Sequence, residues 1–69
     1  MKLTDRQREV LDLMCQGLTN KEIGKRLYIT ERSVKGHRHR MYQRFGLTYE
    51  KNSEIRLIVS YLRGELEQW

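Results

Sequence analysis

Apolar residues recur at helical intervals in four stretches, each introduced by a polar cap and most closed by a glycine. In the first, Val10, Leu11, Leu13 and Met14 follow Thr4-Asp5-Arg6-Gln7. Thr4 with Gln7 three residues on reads as a capping box, and Asp5 suits a first turn whose unpaired N–H groups favour negative charge. This spacing predicts a helix over about 5–16, stopped at Gly17. Thr19-Asn20-Lys21-Glu22 is a second capping box and opens a short helix over 20–27, with Ile23 and Leu27 inward. Thr30 begins a third over 31–45, with apolar positions Val34, Met41, Tyr42 and Phe45 and a stop at Gly46. Asn52 or Ser53 can cap a fourth over 53–63, where Ile55, Ile58, Val59 and Leu62 form an i, i+3, i+4, i+7 stripe expected to face the core. Gly64 ends it, and residues 65–69 are expected to fray. No stretch alternates as a strand would, and no segment repeats. The fold class is therefore all-α, a four-helix arrangement whose second and third helices are joined by only Tyr28, Ile29 and a cap.

Size narrows the function. Sixty-nine residues make one small domain, 1–69, too short for a doubly wound nucleotide fold or an (α/β) barrel. A lone Cys15 cannot staple the chain, so a reduced, cytoplasmic setting is expected. No apolar run reaches the roughly 20 residues of a membrane span, and Met1-Lys2-Leu3 opens no signal peptide. His37 and His39 stand at i and i+2, which do not face one way on a helix, and one cysteine adds too few ligands for a metal site. No nucleophile–base pair or carboxylate pair has a pocket to occupy, so neither an enzyme nor a cofactor is expected.

Charge changes the picture by its position. Residues 32–49 hold five basic residues (Arg32, Lys35, Arg38, Arg40, Arg44) and no acid, while the chain as a whole carries +5. Such a block repels itself unless a polyanion screens it. A solvated helix face mixes signs, with Glu four residues before Lys, and this segment is read as unmixed. On a wheel of about 100° per residue, Val34, Met41 and Phe45 cluster on one side. Arg32, Lys35, Gly36, His39, Arg40 and Gln43 fall on the other. A short helix pair whose second member is apolar inward and basic outward is the helix-turn-helix layout, and that member fits a major groove about 12 Å wide. RNA readers present aromatics on a sheet or groove, whereas Tyr28, Tyr42, Phe45 and Tyr49 sit at core or turn positions. A membrane-surface helix needs a broader apolar face than this one has.

Residues 3–47 resemble the LuxR/FixJ-type helix-turn-helix family of bacterial transcription regulators. The resemblance rests on Leu3-Thr4, Arg6, Glu9-Val10-Leu11, Leu13, Gly17, Thr19-Asn20-Lys21-Glu22-Ile23, Leu27, Ile29-Thr30, Ser33-Val34-Lys35, His37, Met41 and Phe45-Gly46. It implies a four-helix domain that binds double-stranded DNA, commonly as a dimer through the fourth helix, with RNA polymerase as a further candidate partner. By position it implies base contacts from Lys35, Gly36 and His39. It implies phosphate contacts from Lys21, Thr30, Arg32, Ser33 and His37. Arg38, Arg40 and Arg44 join the phosphate set on charge and wheel position. Leu57 and Tyr61, left over from the fourth helix's inward stripe together with Leu66 and Trp69, are the expected dimer interface.

There are departures. Gln7 stands where the family usually has an acid, so a neutral bond is expected in place of a salt bridge. Gly24 and Cys15 stand at usual alanine positions, Gly24 permitting close packing and Cys15 filling core. The stretch Thr48–Asn52 looks longer than the family turn. The family usually fuses this domain to a receiver or ligand-binding domain, so the chain is expected to be a free-standing regulator or an effector fragment begun at an added Met1. The rival reading is a small protein-interaction module, an anti-regulator that pairs with a related regulator through the fourth helix.

Overall fold

The computed structural model describes residues 2–47, 52–65 and 67–68. Thr4, Thr19 and Thr30 are extended residues, with φ near −70° and ψ near 160°, and each begins a helix. The helices run Asp5–Cys15 (α1), Asn20–Leu27 (α2), Glu31–Arg44 (α3) and Ser53–Leu62 (α4). Two-residue strands, Lys2–Leu3 (β1) and Glu67–Gln68 (β2), pair in parallel with Lys2 opposite Glu67. The fold is all-α. The expected fraying of the C-terminal end is corrected at Glu67–Gln68, which lie beside the start of the chain.

Both capping boxes form. Thr4 Oγ1 accepts from the Gln7 N–H at 3.1 Å, and Gln7 Oε1 accepts from the Thr4 N–H at 3.0 Å. Buried Gln7 thus makes the neutral bond expected of it. Thr19 and Glu22 repeat the exchange at 3.2 and 2.9 Å. That Thr19 N–H, bonded to the Glu22 carboxylate, holds its pKa below the ordinary value, so the box carries a charge at the positive end of α2.

The core gathers Leu3, Val10, Leu11, Leu13 and Met14 with Ile23 from α2, Val34 and Met41 from α3, and Leu57 from α4. Each such buried aliphatic side chain contributes about 1.5–3 kcal/mol. Cys15, Leu27, Tyr42 and Phe45 pack around it, partly buried. Burial, and then the Asp12 charge, push the Cys15 thiol up, away from reactive thiolate.

The orientation of α4 overturns an expectation. Leu57 is fully buried, while Ile55, Val59 and Leu62 are 62%, 39% and 71% exposed. Only Ile58 of the expected inward stripe packs against the core. Two polar partners set this rotation. The Tyr61 hydroxyl donates to Asp12 of α1, and Glu54 Oε2 lies 3.3 Å from Arg38 Nη2 of α3. Residues 54, 57, 58 and 61 share one face of a helix, so satisfying both partners turns Leu57 inward and the 55/59/62 stripe outward. Leu57 and Tyr61 are therefore core and helix-lock residues, and the dimer interface expected at them is corrected. Asn52 makes no side-chain cap bond, and the Ser53 hydroxyl donates to the Leu47 carbonyl. Within the stretch 48–52, expected to be longer than the family turn, residues 48–51 lie outside the described residues, as do Leu66 and Trp69.

The turn between α2 and α3 is closed tightly. Tyr28 ends α2 in the left-handed region at φ 58°, and the Ile29 N–H donates to the Gly24 carbonyl at 2.9 Å. A Cβ on Gly24 would stand 2.8 Å from the Ile29 carbonyl oxygen. The bare backbone of Gly24 permits this close approach, which a Cβ would push back.

Candidate nucleic-acid interface

α3 is held by its buried side and presents the other. Val34 and Met41 are buried, which turns Arg32, Lys35, His39, Arg40 and Gln43 outward, all exposed. Thr30 fixes the start of the helix. Its Oγ1 accepts from the Ser33 N–H at 3.0 Å and lies 3.1 Å from Ser33 Oγ. Both hydroxyls remain exposed at the positive end of the helix dipole. Lys35 and His39, one turn apart, line a single shallow concavity with Asn20, Arg38 and Tyr42.

The basic face of α3 is not wholly unmixed in sign. Glu31 stands four residues before Lys35, just outside the acid-free segment, and its Oε1 lies 3.9 Å from Lys35 Nζ. The pair is more than half exposed on both sides, so it is weak and leaves the ammonium free to swing to a stronger anion.

Arg38 is not where wheel position put it. Its side chain is 17% exposed, and its guanidinium is committed within the chain. Nη1 donates to Asn20 Oδ1 at 2.5 Å, Nε and Nη2 donate to the Tyr42 hydroxyl at 3.2 and 2.9 Å, and Nη2 pairs with Glu54. The expected phosphate contact at Arg38 is corrected to a tie joining α2, α3 and α4. Sequence reasoning missed Asn20, Tyr42 and Glu54 as its partners. The Arg38–Tyr42 spacing of four was the one local signal; the other two partners come from separate helices.

The remaining candidates divide by exposure. Lys21, Arg32, Arg40 and Arg44 are exposed, whereas His37 is half-buried. Burial, then the charges of Arg40 and Arg6, hold the His37 pKa below its ordinary value, so at neutral pH its ring offers a neutral N–H. Gly36 exposes bare backbone between Lys35 and His39; a Cβ there would meet only Arg40 Nη2, at 3.6 Å.

A family model for bacterial regulatory proteins of the luxR family, typified by GerE, matches residues 1–54. The chain belongs to the luxR family. The match takes in the whole of α1, α2 and α3 and ends at Glu54, two residues into α4. Among relatives, the spore germination protein GerE of Bacillus subtilis is 37% identical over 65 residues, which cover 94% of this chain and 84% of GerE. The DNA-binding transcriptional activator DevR/DosR of Mycobacterium tuberculosis is 33% identical over 61 residues, 88% of this chain but 27% of that protein. The nitrate/nitrite response regulator NarL of Escherichia coli is 48% identical over 46 residues, 67% of this chain and 21% of NarL. This luxR-family chain therefore spans most of GerE's length but only about a quarter of DevR/DosR and a fifth of NarL. No solved structure matches it. Among the described residues no helix is long and apolar enough to cross a membrane.

Proposed function

We propose that this chain binds double-stranded DNA sequence-specifically, as the DNA-binding domain of a bacterial transcription regulator, with α3 in the major groove. Residues 1–69 act as one domain in the cytoplasm, where bacterial DNA lies. The observation that carries the reading is the outward side of α3, where Lys35 and His39 stand together on one concavity and the acidic neighbour of Lys35, Glu31, lies a loose 3.9 Å away. Lys35 donates to guanine O6 and N7, and His39 donates to a neighbouring base edge. Lys21, Arg32, Arg40 and Arg44 and the starts of α2 and α3, with Thr30 and Ser33, hold phosphates. His37 adds a neutral donor.

The chain pairs through α4. The exposed Ile55, Val59 and Leu62 form an i, i+4, i+7 stripe that a second copy covers, in place of the buried Leu57 and bonded Tyr61. A two-fold pair sets half-sites about one helical turn apart, near 34 Å. DevR/DosR is named a transcriptional activator; the same role here brings the chain against RNA polymerase.

Selection of bound molecules from a random duplex pool tests this. The expected result is an inverted repeat with half-sites one turn apart. A chain that retains no duplex at low ionic strength, yet pairs with a related regulator, overturns it in favour of an anti-regulator acting through the α4 stripe.

A further inference from the structure

The chain contains five glycines, and its own geometry accounts for four. Gly17, Gly46 and Gly64 take positive φ at helix ends, and Gly24 admits the Ile29 carbonyl. Gly36 has neither reason. It lies inside α3 with no positive φ, and an added Cβ would make one ordinary contact, with the far end of the flexible Arg40 side chain. Glycine is a poorer helix former than any residue but proline, so within the chain this position weakens α3 and gains nothing. A local rule broken without internal compensation points outside the chain.

What lies around Gly36 says what approaches. Lys35 precedes it, His39 stands three residues on, and both line the same concavity. The two side chains differ in reach: a lysine extends over four methylenes, an imidazole over one. Hydrogen bonds weaken steeply beyond about 3.2 Å, so a surface held off by even part of a methyl group keeps the lysine contact and loses the histidine one. Bare backbone at 36 lets the helix seat deeply enough for both.

We propose that Gly36 is a specificity-determining residue: its missing side chain sets how deeply α3 enters the major groove, and so whether His39 reaches a base edge. This rests on the DNA reading above and adds to it a residue that works by absence. Gly36→Ala separates the two. The variant is expected to melt about 4–8 °C higher, since alanine restores helix propensity. It is expected to lose at least tenfold in affinity for the duplex selected with the wild-type chain, and to hold a scrambled duplex within about twofold. Repeating the selection with Gly36→Ala should yield a preference relaxed at the base pair that His39 reads. Unchanged affinity for the selected duplex, equal loss on both duplexes, or a lower melting temperature overturns the proposal while leaving the DNA reading in place. A wild-type chain that retains no duplex overturns the DNA reading, and the proposal with it.

Discussion

Single residues decide how the recognition surface is built. Gly24 and Ile29 are stitched in both directions, by a hydrogen bond of 2.9 Å and by a carbonyl oxygen 2.8 Å from where a Cβ would stand. Gly24→Ala gains about 1 kcal/mol of helix propensity but overpacks backbone, at a cost of about 1–3 kcal/mol. The carbonyl cannot rotate away without moving the turn that carries Thr30. The expected outcome is a net loss near 1 kcal/mol, seen as a lower urea midpoint; a higher midpoint contradicts the close approach. Arg38 shows the opposite use of a polar side chain. Arg38→Met strands the Asn20 and Tyr42 partners and removes the Glu54 pair, so stability should fall by about 1–3 kcal/mol. Because that guanidinium faces partners within the chain, the salt dependence of duplex binding should keep its slope, roughly −4 to −5 on a log–log scale. A slope shallower by about one would return Arg38 to the phosphate contacts.

At the scale of elements, legibility followed how local the determinants are. The caps at Thr4, Thr19 and Thr30 and the stops at Gly17, Gly46 and Gly64 act within a few residues, and the helices begin at the expected residues and end within one of the expected position. Lys35 and His39 were placed outward by Val34 and Met41, which only the core can hold. The rotation of α4 is not legible in the sequence because its apolar residues form two overlapping stripes, 55/59/62 and 57/58/61, and periodicity cannot choose between them. Asp12 and Arg38 choose, and both are remote in sequence. Arg38 itself was misplaced for the same reason, since its partners Asn20 and Glu54 sit on other helices. Two substitutions separate the faces of α4. Leu57→Ala should cost about 2–5 kcal/mol of stability. Leu62→Glu should leave the melting temperature nearly unchanged and give a monomer by sedimentation. A dimer that survives Leu62→Glu moves the interface off this stripe.

For the whole molecule, α1 and α2 pack against α3 and hold that basic helix at the surface, while α4, packed on α1, turns a separate apolar face away from the core. Burial fixes the scaffold, and the charge left over on α3 is what a polyanion would meet. The parallel pairing of Lys2–Leu3 with Glu67–Gln68 brings the two ends together beside the buried Leu3. On the proposed function, the outward side of α3 reads bases and does not merely attract phosphate. Comparing Lys35→Ala with the wild-type chain on a selected duplex and on a random one tests this most directly. A loss of about 1–3 kcal/mol is expected on the selected duplex and a much smaller loss on the random one. Equal losses on both would contradict it, leaving Lys35 as a phosphate contact and the reading of sequence elsewhere.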